Sequence, residues 1–310
     1  MVRQLVVFGL LLCSVSIQAQ VGYGWIKCPF GDGMSQVQFR RMYVDGRAPQ
    51  RASIVLATTG YCELFVNGRN VTTDLRMPVR ELGDTSAVAL TYDVTPCLRP
   101  DTNVVAVRFC PSVAGANGRE IAVCYYGVYD DGTAFSHSSD DDWLCRFGDT
   151  RLLPDGGELM DGAIAAQYDW NRSSGYAPAT WLSALRCEAS DDATPVYEQD
   201  FCYEADRIVK TYKPRFFDLE GDTAVVYDFA QPFVGNVRVT FRDAVPGSHV
   251  FIGGMEYVCT GEMDEQAFRR FTSSSFRRVT ITGDRHFRPE IVQKVEGLSV
   301  GSYLRVPFGY

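Results

Sequence analysis

Ser53-Ile-Val-Leu-Ala-Thr-Thr-Gly-Tyr-Cys-Glu-Leu-Phe-Val-Asn-Gly-Arg69 decides the fold class. Two short runs rich in β-branched and aromatic residues flank Gly60, and the second ends on Asn67-Gly68. That dipeptide tolerates positive φ at both turn positions, so it predicts a two-residue hairpin. The same grammar repeats outward. Asn103-Val-Val-Ala-Val-Arg-Phe alternates, and Glu120-Ile-Ala-Val-Cys-Tyr-Tyr-Gly-Val-Tyr runs to Asp130-Asp131-Gly132 before Thr133-Ala-Phe. Between them, Asp93-Val-Thr-Pro-Cys-Leu reads as a short capped turn, with Thr95 as cap and Pro96 in the first helical position.

Further strands are read at Thr223-Ala-Val-Val-Tyr-Asp-Phe, Asn236-Val-Arg-Val-Thr-Phe, His249-Val-Phe-Ile and Phe276-Arg-Arg-Val-Thr-Ile-Thr. Gly221, Gly235, Gly247 and Gly283 punctuate them. Short strands at this spacing predict an all-β protein of sandwiches. Residues 148–180 show no sustained period and read as a long excursion from the first sandwich. Helix is expected only at 263–270 and 289–295. The expected division is a jelly-roll-like sandwich over 20–190 and a smaller sandwich over 191–310.

The N-terminus carries Arg3, an apolar run from Leu5 to Leu12, and small residues Ser14, Ser16 and Ala19. This is the pattern of a cleaved signal peptide over 1–19. It predicts a secreted, periplasmic or cell-surface protein. A lipoprotein reading at Cys13 meets a large residue, Leu12, where a small one is usual. No later stretch has the length of a transmembrane helix. The formal net charge of −8 argues against nucleic acid and anionic membranes as partners.

Of ten cysteines, nine lie beyond position 19, and none forms a Cys-x-x-Cys pair. An oxidising compartment permits disulfides, and an odd number leaves at least one thiol over. The three histidines, His137, His249 and His286, lack metal-ligand spacing. Acidic groups at 140–142, at Asp155/Glu158/Asp161, at Asp191-Asp192 and at Glu262/Asp264/Glu265 read as turns and fasteners, so no catalytic residue is assigned. Calcium is the cofactor the loops would suit, held by Asp130, Asp131, Asp140 and Asp142. For a ligand, the excursion offers Tyr168, Trp170, Asn171, Arg172 and Tyr176, whose rings and polar groups suit a sugar. Trp143 and Trp181 read as core.

The order of motifs resembles a known family. Gly60-Tyr-Cys-Glu-Leu-Phe-Val-Asn-Gly-Arg, Pro78, Thr91-Tyr-Asp-Val-Thr-Pro-Cys-Leu-Arg-Pro, Asp131-Gly-Thr, Asp142-Trp143 and Gly157-Glu158 are similar to the N-terminal sandwich of bacterial α-L-rhamnosidases. Val226-Tyr-Asp-Phe-Ala-Gln, Val234-Gly-Asn-Val-Arg-Val and Phe276-Arg-Arg-Val-Thr-Ile-Thr-Gly resemble the second sandwich of that family. The chain departs at Ala230-Gln231-Pro232, where the family continues Gly-Gln-Asn. The family's catalytic module is a helical toroid further downstream, and no stretch here has its helical period. The resemblance therefore implies a secreted, non-catalytic carbohydrate-binding or accessory protein that takes rhamnose-containing glycans. Its rivals are a truncated or divergent α-L-rhamnosidase and a structural partner of a separately encoded hydrolase or surface assembly.

Overall fold

The computed structural model describes residues 24–167, 169–172, 178–187, 197–199 and 205–302. The signal-peptide reading over 1–19, Tyr168, Tyr176, Asp191-Asp192 and Cys202 lie outside the described residues.

Strands dominate. The first stretch holds β1 (Trp25–Lys27), β2 (Ser35–Val44), β3 (Pro49–Thr58), β4 (Tyr61–Val66), β5 (Arg69–Asn70), β6 (Val88–Asp93) and β7 (Thr102–Cys110). It continues with β8 (Glu120–Tyr129), β9 (Ala134–Ser138), β10 (Leu144–Leu152), β11 (Glu158–Asp161) and the short helix α1 (Gly162–Ala165). Then come β12 (Leu182–Ser183), β13 (Leu185–Arg186), β14 (Tyr197–Glu198), β15 (Asp206–Tyr212), β16 (Phe216–Leu219) and β17 (Ala224–Phe241). The last are β18 (His249–Ile252), β19 (Met255–Val258), β20 (Glu265–Ala267), β21 (Ser274–Gly283) and β22 (Val292–Ser302).

The turn chemistry read from the sequence places the hairpins. Asn67 and Gly68 take φ of 53° and 82°, the left-handed pair that an I′ turn needs, and β4 folds back on β5. At the next hairpin Gly132 sits at φ 81°, and the Tyr129 N–H donates to the Thr133 carbonyl. Thr95 behaves differently from the expected cap. Its hydroxyl bridges to the backbone of Ala52, and it is Asp93 that accepts from the Thr95 N–H.

A seven-stranded sheet runs β13-β1-β8-β3-β6-β14, with β9 also on β8. A larger sheet runs β15-β22-β17-β21-β18-β19-β11-β10-β2-β7-β4-β5. The first core fills the space between the small sheet and the β10-β2-β7-β4 part of the large one. Ile54, Leu56, Ile121 and Val123 face Phe39, Leu64, Val105 and Phe109 there. Trp143 is fully buried in this core, as its sequence context predicts. A second core gathers Val237, Val239 and Phe241 of β17 with Val250, Tyr257, Ile281 and Val295. The all-β, two-sandwich expectation holds. At Asp228 to Phe233 the register of β17 on β21 shifts, with Ala230 at φ 65°, and the strand pairs with β16 and β21 before the shift and with β22 and β20 in its C-terminal half.

Three local expectations give way to tertiary pairing. The excursion over 148–180 opens as strand, because β10 runs on to Leu152 and β11 returns from the turn at 153–157 to pair with it. Residues 263–270 hold β20 rather than a helix, since Val239, Thr240 and Phe241 supply ladder partners. Residues 289–291 form only one 3₁₀ turn before β22 begins. In each case the neighbouring strand outweighs local propensity.

The large sheet is continuous across the two cores because β11 pairs with β10 on one side and, in parallel, with β19 on the other. Met160 of β11 belongs to the second core. Glu158 is the fastener at this seam. Its buried carboxylate accepts from the backbone N–H groups of Arg270, Phe271 and Thr272 and from the Thr272 hydroxyl. Asp161 caps α1 by accepting from the Ala163 and Ile164 N–H groups.

Candidate functional site

The C-terminal end of β2 lies open on one flank. Strand β10 pairs with β2 only as far as Arg40, opposite Leu144, so among the described residues positions 41–44 have no strand on that side. Alternation along β2 puts Arg41 and Tyr43 on one face, and Asp45 follows just past the strand's end. Across the gap lies β9, the strand beyond β8, and its register sets Tyr125 opposite His137. The result is a cleft of about 410 Å³ lined by Arg41, Tyr43, Asp45, Ser136, His137 and Asp140 among others. That volume is in the range of small-molecule sites.

The floor of the cleft is formed by the Tyr43 and His137 rings, and Tyr125 and Phe135 of the first core back it. The ring centroid of Tyr43 is 5.1 Å from that of Tyr125 and 5.0 Å from that of His137. Phe135 closes the cluster at 5.0 Å from Tyr125 and 5.6 Å from His137. Three polar atoms in this cluster are buried without a hydrogen-bond partner among the described residues: Tyr43 Oη, Tyr125 Oη and His137 Nε2. The Trp143 indole N–H lies beside the Tyr43 oxygen but outside good hydrogen-bond geometry. Burial pushes both tyrosine hydroxyls up from their ordinary value, so they stay protonated as donors.

The rim is charged and internally paired. Arg41 reaches Asp142 at 2.8 Å and Asp140 at 3.9 Å. The Tyr129 hydroxyl donates to Asp45, and the Arg47 guanidinium lies 4.0 Å above the Tyr129 ring. Such an arrangement can accept a neutral polyhydroxylated ring. Aromatic walls meet C–H groups, while donors and acceptors meet hydroxyls. A second cavity of about 350 Å³ lies beside β6, and three of its polar groups are already engaged. Thr72 accepts from the Leu64 N–H, Asp74 is held by Arg207, and Asp93 accepts from the Thr95 N–H.

Two of the residues expected to bind ligand in the excursion, Trp170 and Asn171, are taken up by the protein itself. Trp170 is buried, edge-on to Phe65 at 5.4 Å, in a cluster with Trp181. Asn171 is buried as well. Arg40, itself buried, donates to the carbonyls of Trp170 and Arg172, and its guanidinium lies over the Trp181 ring. Arg108 and Arg146 add further cation–π contacts to Trp170 and Trp181. The outer face of the large sheet carries these arginines, and the excursion's rings cover them. A stacking platform needs an exposed face, and Trp170 spends its own on the protein. Neither it, Asn171 nor Arg172 lines the cleft.

The calcium set is likewise dispersed into local pairs. Asp131 faces Arg47 and accepts from the Thr133 N–H, Asp140 accepts from the Asp142 N–H, and Asp142 pairs with Arg41. The Asp130 N–H is taken by the Ala48 carbonyl. Among the described residues no three His, Cys, Asp or Glu side chains converge as a metal site. The other acidic groups are also engaged: Glu265 accepts from Tyr257, Thr260 and Gly261, and Asp264 pairs with Arg242. Among the described residues no helix is long and apolar enough to cross a membrane.

An α-L-rhamnosidase from Formosa agariphila is 23% identical over 300 residues, 81% of this chain but 30% of that protein. One from Streptomyces avermitilis is 26% identical over 270 residues, 75% of this chain and 25% of its own length. The chain resembles a portion of the α-L-rhamnosidases. The structure of the α-L-rhamnosidase from Dictyoglumus thermophilum superposes with a TM-score of 0.75 at 21% identity, covering 92% of this chain and 36% of that one. That likeness establishes the rhamnosidase-like fold. The chain spans only about a quarter to a third of the rhamnosidases it matches. No family model matches it.

Proposed function

We propose that this chain is an exported, non-catalytic carbohydrate-binding or accessory module that takes a sugar ring of a rhamnose-containing glycan into the cleft between β2 and β9. The observation that carries the reading is the cleft floor. The Tyr43 hydroxyl and the His137 Nε2 are buried in its lining, with the Tyr125 hydroxyl behind them, all without hydrogen-bond partners among the described residues and among rings that suit a sugar's C–H face. Leaving such groups unpaired costs about 1–3 kcal/mol each, so a ligand that satisfies them gains that much affinity. A 6-deoxy sugar fits the mixture, since it offers hydroxyls together with an apolar methyl group. The resemblance to α-L-rhamnosidases supports this sugar class.

Calorimetry against methyl α-L-rhamnoside tests the reading. Saturable binding in the millimolar range or tighter is expected, weakened about tenfold by Tyr43→Phe or His137→Ala, the equivalent of one hydrogen bond. Affinity unchanged in both variants would remove the cleft from the account. The purified chain is also expected to release no nitrophenol from an aryl α-L-rhamnoside. Release at a rate that scales with enzyme and survives repurification would support the divergent-hydrolase reading instead.

A separate observation supports a partner-binding role beside this one. Phe216, Phe217 and Leu219 of β16 are exposed, as are Val234 on the adjoining β17 and Ile208 and Val209 on β15. Strand β16 pairs only with β17 among the described residues. Such an apolar edge suits docking to a separately encoded hydrolase. Recovery of a helical hydrolase from the native cell on the immobilised chain, lost on Phe217→Asp, is the expected result. Recovery insensitive to that substitution would count against this edge.

A further inference from the structure

Two thiols meet inside the first core. Cys28 directly follows β1 in the small sheet, and Cys145 lies on β10 in the large one. Both are buried in the same hydrophobic cluster, one contributed from each sheet, and the two thiols influence each other's ionisation. The pair therefore spans the sandwich, from one sheet to the other. Other described cysteines have other neighbours: Cys62 donates to the Thr58 hydroxyl, and Cys124 lies 3.6 Å from that of Ser136. Strand β1 is otherwise a weak element, held by three paired positions on β8 and two on β13.

We propose that Cys28 and Cys145 are a redox modification site that closes into a cross-sheet disulfide, stapling β1 to β10. Two cysteines brought from the two packed sheets into one core are the placement a cross-layer bond requires. The oxidant is another disulfide, either a small-molecule one such as oxidised glutathione or that of an oxidised dithiol protein. The Cys28 thiolate attacks one sulfur of that disulfide, forming a mixed disulfide and expelling the first thiolate. Cys145 then loses its proton and attacks the Cys28 sulfur, expelling the second. The pair gives up two electrons and two protons, and the oxidant leaves as two thiols. The order follows from the mutual influence of the two thiols, which draws Cys28 below its ordinary value and pushes Cys145 up. Because both groups are buried, exchange belongs to folding or to local opening of the N-terminal edge. The bridge would close most of the first sandwich into one covalent loop, which restricts the unfolded chain strongly.

The test is to refold the full chain with mixed oxidised and reduced glutathione, block free thiols, and digest without reduction. A linked peptide pair holding Cys28 and Cys145 is expected, about two mass units below the sum of its free-thiol parts. The oxidised chain should melt on the order of 5–10 °C above the reduced one. In Cys28→Ala that redox-dependent difference should vanish. Full alkylation of both thiols after oxidising refolding, or a link from Cys28 to a different cysteine, would overturn the proposal. The peptide result is read on the unsubstituted chain, so it stands even if the variant folds poorly. Its failure would leave the sugar-binding reading untouched.

Discussion

Replacing Glu158 by alanine is expected to lower stability by about 3–5 kcal/mol, a fall in melting temperature on the order of 10 °C. The carboxylate is 1% exposed and sits where β11 joins β10 to β19. It satisfies three consecutive backbone N–H groups at 270–272 and one hydroxyl. Alanine leaves those donors buried and unpaired, since the neighbouring Arg270 and Phe271 segment is itself buried or half-buried. Glu158→Gln keeps one acceptor oxygen but turns an N–H₂ toward the remaining donors, so an intermediate loss is expected. Thermal and urea denaturation of both variants give the measurement. A Glu158→Ala protein within about 1 kcal/mol of the parent would show that the seam is held by strand pairing and apolar packing alone.

The second large effect is expected at Arg40. Its guanidinium is 1% exposed, donates to two carbonyls of the excursion and lies 5.5 Å from the centre of the Trp181 ring. Arg40→Ala should cost about 2–4 kcal/mol, because it strands both carbonyls and removes the cation from the ring. The loss should be local, with the excursion lifting from the sheet before the sandwich unfolds. Two readouts follow: a red shift of tryptophan fluorescence as Trp170 and Trp181 meet water, and faster proteolytic nicking around residues 162–187. Arg40→Lys should recover less than half of the loss, since a single ammonium cannot reproduce the planar fork. Unchanged fluorescence and nicking would mean that apolar packing against Phe65 and Ala106 suffices.

Much of the fold was legible in the sequence because its turns are chemically explicit. Asn67-Gly68 and Asp130-Asp131-Gly132 each fix a hairpin, and alternation in 103–109 and 120–129 supplies the strands between. What local reading missed was decided by distant partners. Nothing in 263–270 signals a strand until β17 lies alongside, and nothing at Pro154-Asp155-Gly156-Gly157 reveals that β11 will bridge two cores. The aromatic residues at 168–176 drew the eye as a binding loop because composition cannot tell an exposed ring from one stacked on Arg108.

The cleft was hidden for a related reason. Tyr43, Tyr125 and His137 are far apart in sequence, and His137 has no ligand spacing. Two signals were nonetheless present. The turn at Asp130-Asp131-Gly132 fixes a register that places Tyr125 opposite His137. Arg41 and Tyr43 alternate along β2, with Asp45 just past its end, a polar and aromatic face on a strand that is apolar inside until Phe39. Bringing those two faces together required knowing that β10 leaves β2 at Arg40, which is a property of the sheet and not of either segment.

The central claim is that a rhamnosidase-like sandwich binds sugar at this cleft. The most direct measurement is nuclear magnetic resonance of the isotope-labelled chain during titration with methyl α-L-rhamnoside. Saturable shifts confined to residues 41–45 and 134–140, with the largest at the rings of Tyr43 and His137, are the predicted result. A titration that leaves those signals unmoved, or that moves only residues of the second sandwich, would contradict the account.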